Sequence, residues 1–380
     1  MSLSDRLWRL RLVVFGSLGA VGAFGICLAQ INGLGLNTPI VRTTFYCFLG
    51  TLSLSILLWL IHTYALRESA SERTHLRYRF AADFLALASI RHLFPLAMTV
   101  ASYGLVPHSL ALADEWLSWP ERMLGITHPV VYHTCEAWGL LLPMEFVYDS
   151  VWVQVVLILG WFGLVRRNVL PLWEVAAAVS ISATLGLVVF WLAPAIGPWA
   201  YYGQTAYGSP PPSAEAAFLA DFSALREGRF TALLAGQGLV TIPSFHVVFA
   251  VLFAWVFRHE RSIYPAAIVL NLAVIAVTFP VGWHYLADLP AGMIWVAVTI
   301  AVVRRIQGAP EQSAADQEST LSPLQGVLGE GGIVIDFVGV ILGLFDVRTV
   351  LIAGVIFVPL ERCGHCPEGN TRFAGGGAPT

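Results

Sequence analysis

The sequence predicts an all-α membrane protein, a polytopic helical bundle with about eight transmembrane helices. Hydrophobic residues make up 57% of the 380 residues and charged residues only 12%, whereas a soluble domain has about half apolar and about a quarter charged residues. The mean hydropathy is +0.72. The apolar runs are continuous rather than alternating. Since only helices or closed barrels can span lipid, such runs indicate helices.

Eight stretches have the length and composition of membrane spans, because a helix needs roughly 20 mostly apolar residues to cross the bilayer. They are 12–30, 44–66, 83–106, 146–165, 169–194, 242–258, 263–281 and 286–304. The first stretch is not followed by a small-residue cleavage site. We therefore expect it to be a retained signal anchor.

Arginine residues flank alternate ends of these spans and predict the orientation, because cytoplasmic loops carry an excess of Lys and Arg. With a cytoplasmic N-terminus, every arginine cluster beside a span falls on the cytoplasmic side: Arg6, Arg9, Arg11, Arg67, Arg73, Arg77, Arg79, Arg166, Arg167, Arg258, Arg261, Arg304 and Arg305. We therefore predict a multi-pass protein with a cytoplasmic N-terminus. The segments 107–145, 195–241 and 282–285 would then lie outside.

Three regions follow from this arrangement: an N-terminal transmembrane pair (1–82), a membrane domain (83–306) and a cytoplasmic linker with an unassigned tail (307–380). In the outer segment 107–145, "LADEWLSWPERMLGITHP" mixes Leu, Trp and acidic residues, which suits a helix lying in the membrane interface. The outer loop 195–241 is too long for a simple connector. We interpret it as a lid or a substrate-binding surface.

Two further features of the chain bear on ligands. Cys363 and Cys366 have C-x-x-C spacing, but only His365 stands nearby, and a structural zinc site needs four ligands. We therefore predict no metal and no cofactor, and interpret this part of the tail as disordered. No Lys/Arg-rich tract indicates nucleic acid as a partner.

The stretch "HYLAD" at 284–288 contains a candidate histidine–carboxylate pair. Helical positions four apart share a face, so Asp288 can accept from one nitrogen of His284 and leave the other as a nucleophile or base. Pro290 fits best in the first turn of a helix, which would make Asp288 the N-cap. The alternative is an interfacial histidine with a capping aspartate and no catalytic role.

A second polar motif begins the sixth apolar stretch, "PSFH" at 243–246. Pro243 suits the first helical turn, and the free N–H groups of a helix N-terminus favour an anion such as phosphate. Ser244 adds a hydroxyl donor, and His246 can donate a proton to a departing oxygen. The alternative is a plain N-cap followed by a histidine with no catalytic role.

Together the two motifs fit phosphoryl transfer through a phospho-histidine intermediate. The predicted topology places them at the same depth on the same face of the membrane. They combine a nucleophilic histidine, an orienting aspartate, an acid histidine and an anion cradle, which is more specific than either motif alone.

These motifs resemble the type 2 phosphatidic acid phosphatase superfamily, and within it the inositolphosphotransferase branch that includes inositol phosphorylceramide synthase. A weaker element is "PAIGP" at 194–198. The resemblance implies a phosphatase-type helical core in which His284 is the nucleophile, Asp288 orients it, His246 protonates the leaving group and Ser244 contacts phosphate. It covers roughly 190–305.

The chain departs from the phosphatase branch in its basic residues. That branch has a Lys and an Arg in its first motif, whereas 186–204 contains neither, and Thr278 stands where it has an Arg. Another cation must therefore neutralise the phosphate. Arg226 and Arg229 of the outer loop are our first candidates, followed by Arg122 and His128.

The expected activity is that of an integral membrane phosphoesterase or phosphotransferase acting on phospholipid or sphingolipid phosphate esters on the extracytoplasmic face. Water as acceptor makes a phosphatase, and a polyol such as inositol or a lipid alcohol makes a transferase. The partners are then the lipid bilayer, the lipid substrate and this acceptor. The alternative is a protein that binds phospholipid without catalysis.

Overall fold

The computed structural model describes residues 2–308 except 37, 66–70, 210, 231 and 234–237. The predictions for the tail, including the cysteine pair Cys363 and Cys366, lie outside the described residues. Within them the chain is helical, and its one extended pairing is an isolated bridge between Gly35 and Ala232. The all-α fold class predicted from the sequence is confirmed.

The first three helices are long: α1 (Leu3–Ile31), α2 (Pro39–Leu60) and α3 (Glu72–Leu105). The helices between α3 and α13 are α4 (Asp114–Leu117), α5 (Trp119–Leu124), α6 (His128–Ala137), α7 (Leu141–Gly160), α8 (Leu170–Leu192), α9 (Pro198–Tyr202), α10 (Gln204–Tyr207), α11 (Ser213–Arg226) and α12 (Phe245–Val256). The last two helices are α13 (Tyr264–Val281) and α14 (Asp288–Gln307). Helices α2 and α7 continue as short π-helical turns over Ile61–Ala65 and Trp161–Val165.

Among the described residues, seven helices are long and apolar enough to cross a membrane: α1, α2, α3, α7, α8, α13 and α14. They coincide with seven of the eight predicted spans. This supports a multi-pass membrane protein. The predicted boundary between 1–82 and 83–306 falls inside α3, and α1 packs against α8 and α14 as well as against α3.

The eighth predicted span, 242–258, is shorter than expected. Helix α12 has 12 residues, which at 1.5 Å per residue is about 18 Å, against a hydrocarbon core of about 30 Å. It packs against α7, α8, α13 and α14, and most of its side chains are buried. Helix α12 is as apolar as the longer helices because neighbouring helices surround most of its side chains.

Close packing places the first turn of α12 against α14. A Cβ atom on Gly292 of α14 would lie 2.9 Å from Val247 Cβ and 3.2 Å from the carbonyl oxygen of Ser244. Real Cβ atoms essentially never approach other atoms below 3.0 Å. Glycine at 292 therefore allows α14, which begins at the Asp288 of "HYLAD", to touch the start of α12, which begins at the Phe245 of "PSFH".

The two outer segments contain short helices, α4–α6 in 107–145 and α9–α11 in 195–241. The interfacial helix expected in the first segment is divided into α4 and α5, whose Trp116, Trp119 and Met123 are exposed. The segments contact the bundle at an apolar cluster that contains buried Ala113, Leu117, Ala195, Ile242 and Tyr285. The three sequence motifs therefore adjoin one another through this cluster.

Candidate active site

His284 and Asp288 form the predicted pair, but through a turn rather than a helix face. Helix α13 ends at Val281 and α14 begins at Asp288. His284 Nδ1 lies 3.3 Å from Asp288 Oδ2, and the same oxygen accepts from the Tyr285 N–H at 2.9 Å. Both side chains are buried. The aspartate therefore engages Nδ1 of the imidazole and leaves Nε2 available to another partner.

The "PSFH" motif lies where α12 begins, with one difference from the sequence prediction. Ser244 is the N-cap and Phe245 the first helical residue, so Pro243, which follows a cis peptide bond, precedes the helix rather than lying in its first turn. The first intrahelical bond runs from the Val248 N–H to the Ser244 carbonyl. The N–H groups before Val248 in this turn have no acceptor within the helix.

Ser244 and His246 each have a buried polar side-chain atom without a partner in the described part of the chain. Ser244 Oγ and His246 Nε2 have no hydrogen-bond partner among the described residues, and neither has Asp288 Oδ1. His246 and His284 are close enough to interact electrostatically. The sequence-predicted catalytic residues are therefore brought together at one site.

An aromatic residue from a third helix fixes the ring of His246. Tyr148 of α7 stacks on the imidazole with 3.7 Å between ring centroids and 19° between planes. Trp152, one turn later on α7, contacts the same imidazole edge to face at 6.4 Å. Neither residue belongs to a sequence motif.

Asp114 joins the "PAIGP" turn to Tyr285, the residue after His284. Gly197 has φ +84°, a conformation that favours glycine, and the turn directs the N–H groups of Ile196 and Gly197 at Asp114 Oδ1, each at 3.0 Å. The Tyr285 hydroxyl donates to the same oxygen at 2.6 Å. Burial raises the pKa of both Asp114 and Tyr285 above their usual values.

Glu121 holds the other side of the "HYLAD" turn. Its carboxylate accepts from the Leu286 N–H at 3.1 Å, from the Tyr202 hydroxyl at 2.7 Å and from the His128 N–H at 3.3 Å. Burial raises the pKa of Glu121. Asp114 and Glu121 lie in the stretch for which the sequence predicts an interfacial helix, and in the structure both are buried and hydrogen-bonded to the motif turns.

His128, one of the candidates for neutralising phosphate, is completely buried. Its Nε2 lies 3.3 Å from the Gly282 carbonyl oxygen, and its Nδ1 lies 2.9 Å from the Tyr207 hydroxyl. Burial lowers its pKa to about 4, so the imidazole is uncharged at neutral pH. His128 therefore suits positioning of the segment before His284 rather than supply of positive charge.

The candidate arginines are engaged with protein groups. Arg226 donates to the carbonyl oxygens of Ser109 and Leu110. Arg229 pairs with Glu227, and Arg122 pairs with Glu115. Phosphate binding by Arg226 and Arg229 stays a prediction, and it would require both guanidinium groups to exchange these partners.

Glu215 is a further buried acid that the sequence did not single out. It lies on α11, directly after the "GSPPP" loop, and is fully buried. Its position in a Pro- and Ser-rich outer loop gave no signal of burial. Glu215 lies beside Gly197 of the "PAIGP" turn.

The geometry can support nucleophilic displacement at the central atom of a tetrahedral anionic group such as a phosphate ester. It has an imidazole held by Asp288 through Nδ1, a second imidazole nearby, a buried hydroxyl and the start of a helix, whose N–H groups favour an anion. No cation from the described residues is bound to the histidines by a hydrogen bond or ion pair.

The comparisons with known proteins agree with this arrangement at the level of family. No curated protein and no solved structure matches the chain significantly. Residues 115–302 match the family model of the PAP2 superfamily, which is the type 2 phosphatidic acid phosphatase superfamily. The matched range contains "PAIGP", "PSFH" and "HYLAD", so the part of the chain that carries the three motifs is similar to the PAP2 superfamily.

Proposed function

We propose that the protein is a PAP2-type membrane enzyme that transfers the phosphoryl group of lipid phosphate esters through a phospho-histidine intermediate on His284. The observation that carries the proposal is the buried His284–Asp288 pair next to His246 and Ser244, whose side chains have polar atoms without partners among the described residues. The match of residues 115–302 to the PAP2 superfamily supports the same reaction class.

In the first step, His284 Nε2 attacks phosphorus in line with the leaving oxygen. The N–P bond forms as the P–O bond breaks, and protonated His246 gives its Nε2 proton to the departing oxygen. The negative charge of the bound phosphate favours the imidazolium form of His246. Asp288 stabilises the positive charge that His284 gains.

In the second step, water or an alcohol attacks the phosphorus of phospho-His284. The acceptor O–H loses its proton to His246 as the P–N bond breaks, which restores both imidazoles. A water acceptor gives phosphatase activity, and a polyol or lipid alcohol gives transferase activity. The form of "PSFH", with Phe245 where phosphatases usually have glycine, favours an inositolphosphotransferase acting on phospholipid or sphingolipid.

Phosphate binding follows from the start of α12. The free N–H groups of its first turn and the Ser244 hydroxyl are suited to the non-bridging oxygens, because a helix N-terminus carries partial positive charge. Ser244 Oγ is buried and has no partner among the described residues. This cradle needs no metal ion.

The arginine distribution supports an extracytoplasmic site and a cytoplasmic N-terminus. Arg258, Arg304 and Arg305 follow α12 and α14 at the ends opposite to the motifs. Because basic residues concentrate on the cytoplasmic side, the motif ends of these helices are assigned to the other side.

The test is phosphorus release and transfer by the purified full chain in mixed micelles. Phosphatidic acid, phosphatidylinositol and a ceramide acceptor form the panel, and product analysis with and without added inositol separates phosphatase from transferase. His284→Ala should abolish turnover. His75→Ala, which changes a histidine paired with His62 at the far end of α3, is the matched control and should leave turnover intact.

Two results would overturn the proposal. Turnover retained by His284→Ala would exclude the phospho-histidine mechanism. Phosphorus neither released nor transferred from any member of the panel by the unaltered chain would favour a protein that binds phospholipid without catalysis.

A further inference from the structure

Glu215 is buried without any partner for its carboxyl group. The residue has 0% exposure, and neither Oε1 nor Oε2 has a hydrogen-bond partner among the described residues. A buried polar group without a partner costs free energy, and native structures rarely contain one without a reason. The two other acids of α11 and its end differ, since Asp221 accepts from Tyr103 and Glu227 pairs with Arg229.

The carboxyl group of Glu215 lies beside the "PAIGP" turn and near the backbone that leads into His284. Its Oε1 lies 3.4 Å from the position that a Cβ on Gly197 would occupy, and the carbonyl oxygen of Trp283 lies 3.5 Å from that same position. Gly197 belongs to the "PAIGP" turn, and Trp283 immediately precedes His284. Glu215 also interacts electrostatically with Tyr148, whose ring stacks on His246.

The groups that face Glu215 favour its uncharged form. Asp114 of α4 interacts with it electrostatically, as do the hydroxyls of Tyr148 on α7 and Tyr207 on α10. Burial, and then the charge of Asp114, raise the pKa of Glu215 to about 8. At neutral pH the group is therefore mostly a carboxylic acid, with one O–H to donate.

We propose that Glu215 is a phosphate-binding residue of this site, which donates its carboxyl O–H to a non-bridging oxygen of the substrate phosphoryl group. This proposal rests on the proposed function. It also accounts for the departure of the chain from the phosphatase pattern, because 186–204 lacks the Lys and Arg of the first motif. A neutral donor from α11 takes up part of the hydrogen bonding that those cations would provide, and the outer loop 195–241 thereby contributes to substrate binding.

The chemistry of the proposal separates it from the obvious alternative. A carboxylic acid that donates a hydrogen bond can be replaced by an amide, which also donates and is uncharged. A carboxylate acting as general base cannot be replaced in this way. The pair of variants Glu215→Gln and Glu215→Ala therefore decides between a donor and a base.

The experiment uses the full chain in mixed micelles with phosphatidic acid and phosphatidylinositol, and measures kcat/KM from pH 6 to 9. Glu215→Ala should lower kcat/KM about 10²-fold or more, the cost of losing one donor to a developing oxyanion, whereas Glu215→Gln should stay within about fivefold of the unaltered chain. Asp221→Asn, a neighbour on α11 whose partner is Tyr103, is the control and should not change the rate.

The pH profile gives a second readout that a purely structural role would not move. Because the protonated form donates, activity of the unaltered chain should be full below the pKa of Glu215 and fall as the pH rises through about 8. Glu215→Gln does not titrate, so this alkaline decline should be absent from its profile.

Orthovanadate binding separates failure of this proposal from failure of the proposed function, because it needs no turnover. Vanadate should raise the Tm of the unaltered chain and of Glu215→Gln more than that of Glu215→Ala. Equal vanadate stabilisation of all three proteins, or a Glu215→Gln variant as inactive as Glu215→Ala, would overturn the phosphate-donor role. Vanadate binding to the unaltered chain without turnover of any lipid would instead count against the proposed reaction alone.

Discussion

The same three helices, α8, α12 and α14, have buried polar groups near both ends of the bundle. The two ends differ in whether those groups have hydrogen-bond partners. At one end, Glu174 of α8 is 2% exposed and both of its oxygens are bound. Arg258, just after α12, donates to Oε2 at 2.6 Å, and Gln307 of α14 donates to Oε1 at 2.8 Å. Arg6 lies 3.7 Å from Oε1.

At the other end, the carboxyl and imidazole groups have unused bonding capacity. Both oxygens of Glu215, one oxygen of Asp288, the Ser244 hydroxyl and His246 Nε2 have no partner among the described residues. At the Glu174 end, hydrogen bonds from Arg258 and Gln307 satisfy both carboxylate oxygens and connect three helices. At the motif end, buried donors and acceptors stay without partners among the described residues, and a substrate can use them. The polar groups at the two ends are similarly buried. The presence or absence of hydrogen-bond partners therefore distinguishes a structural cluster from a candidate site.

Among the variants that test this comparison, Asp288→Asn at the motif end should cause the largest loss of kcat. The amide loses the charge that orients His284 and favours a different imidazole tautomer, which in catalytic triads lowers kcat by up to about 10⁴-fold. Steady-state kinetics and thermal unfolding of the same preparation measure it. A loss of kcat that merely follows a loss of folded protein would contradict the orienting role.

Glu174→Gln should give the converse result at the opposite end. Removing one partner of a buried ion pair leaves Arg258 without its counter-charge and typically costs about 3 kcal/mol, here reduced because Arg258 is partly exposed. We expect a lower Tm and an unchanged kcat for the protein that stays folded. Glu227→Gln, which breaks an exposed pair, is the matched control, and an equal Tm for the two variants would show that the Glu174 cluster is not stabilising.

Gly292→Ala tests the contact that brings the two motifs together. The added Cβ would lie 2.9 Å from Val247 Cβ, so α14 or α12 must shift, and overpacking of this kind costs about 1–3 kcal/mol. We expect both Tm and kcat to fall, because the shift separates His284 from His246. Gly19→Ala on α1, where a Cβ meets nothing within 4 Å, should change neither, and a Gly292→Ala variant with normal kcat would contradict the coupling.

Arg226→Gln should give the smallest effect. The guanidinium is bound to the Ser109 and Leu110 carbonyls, so we expect KM for phosphatidic acid to change less than about threefold, which is under 1 kcal/mol. A tenfold or larger rise in KM would show instead that Arg226 leaves these carbonyls to bind phosphate. Arg229→Gln, which breaks the pair with Glu227, extends the same comparison.

The long helices could be predicted from the sequence because continuous apolar runs are local signals. Helix α12 is shorter than the predicted span 242–258 because its first turn starts only at Phe245, and other helices surround it. The pairing of His284 with Asp288 was also predictable from spacing, although a turn at Tyr285 brings them together instead of a helical face. Pro243 was predicted in the first turn of α12 but directly precedes its N-cap, Ser244, because a proline beside a helix start fits either side of the N-cap.

The acids around the site could not be predicted, because their partners are distant in the chain. Asp114 accepts from Tyr285, 171 residues away, and Glu121 accepts from Leu286, 165 residues away. Acidic residues in outer segments are usually solvated, and only the packing of those segments onto the bundle shows that Asp114, Glu121 and Glu215 are buried. Local patterns therefore identified His246, His284 and Asp288 but not the carboxyl groups of Asp114, Glu121 and Glu215.

The central claim is that His284 becomes phosphorylated during turnover, and trapping of the intermediate tests it most directly. The full chain is mixed with lipid carrying ³²P in its phosphate, quenched in alkali, where phospho-histidine persists, and digested for mass spectrometry. We predict label on the peptide that contains His284, none in His284→Ala, and loss of label on brief acid treatment. Label on another residue, or rapid turnover with no label in rapid-quench samples, would contradict the account.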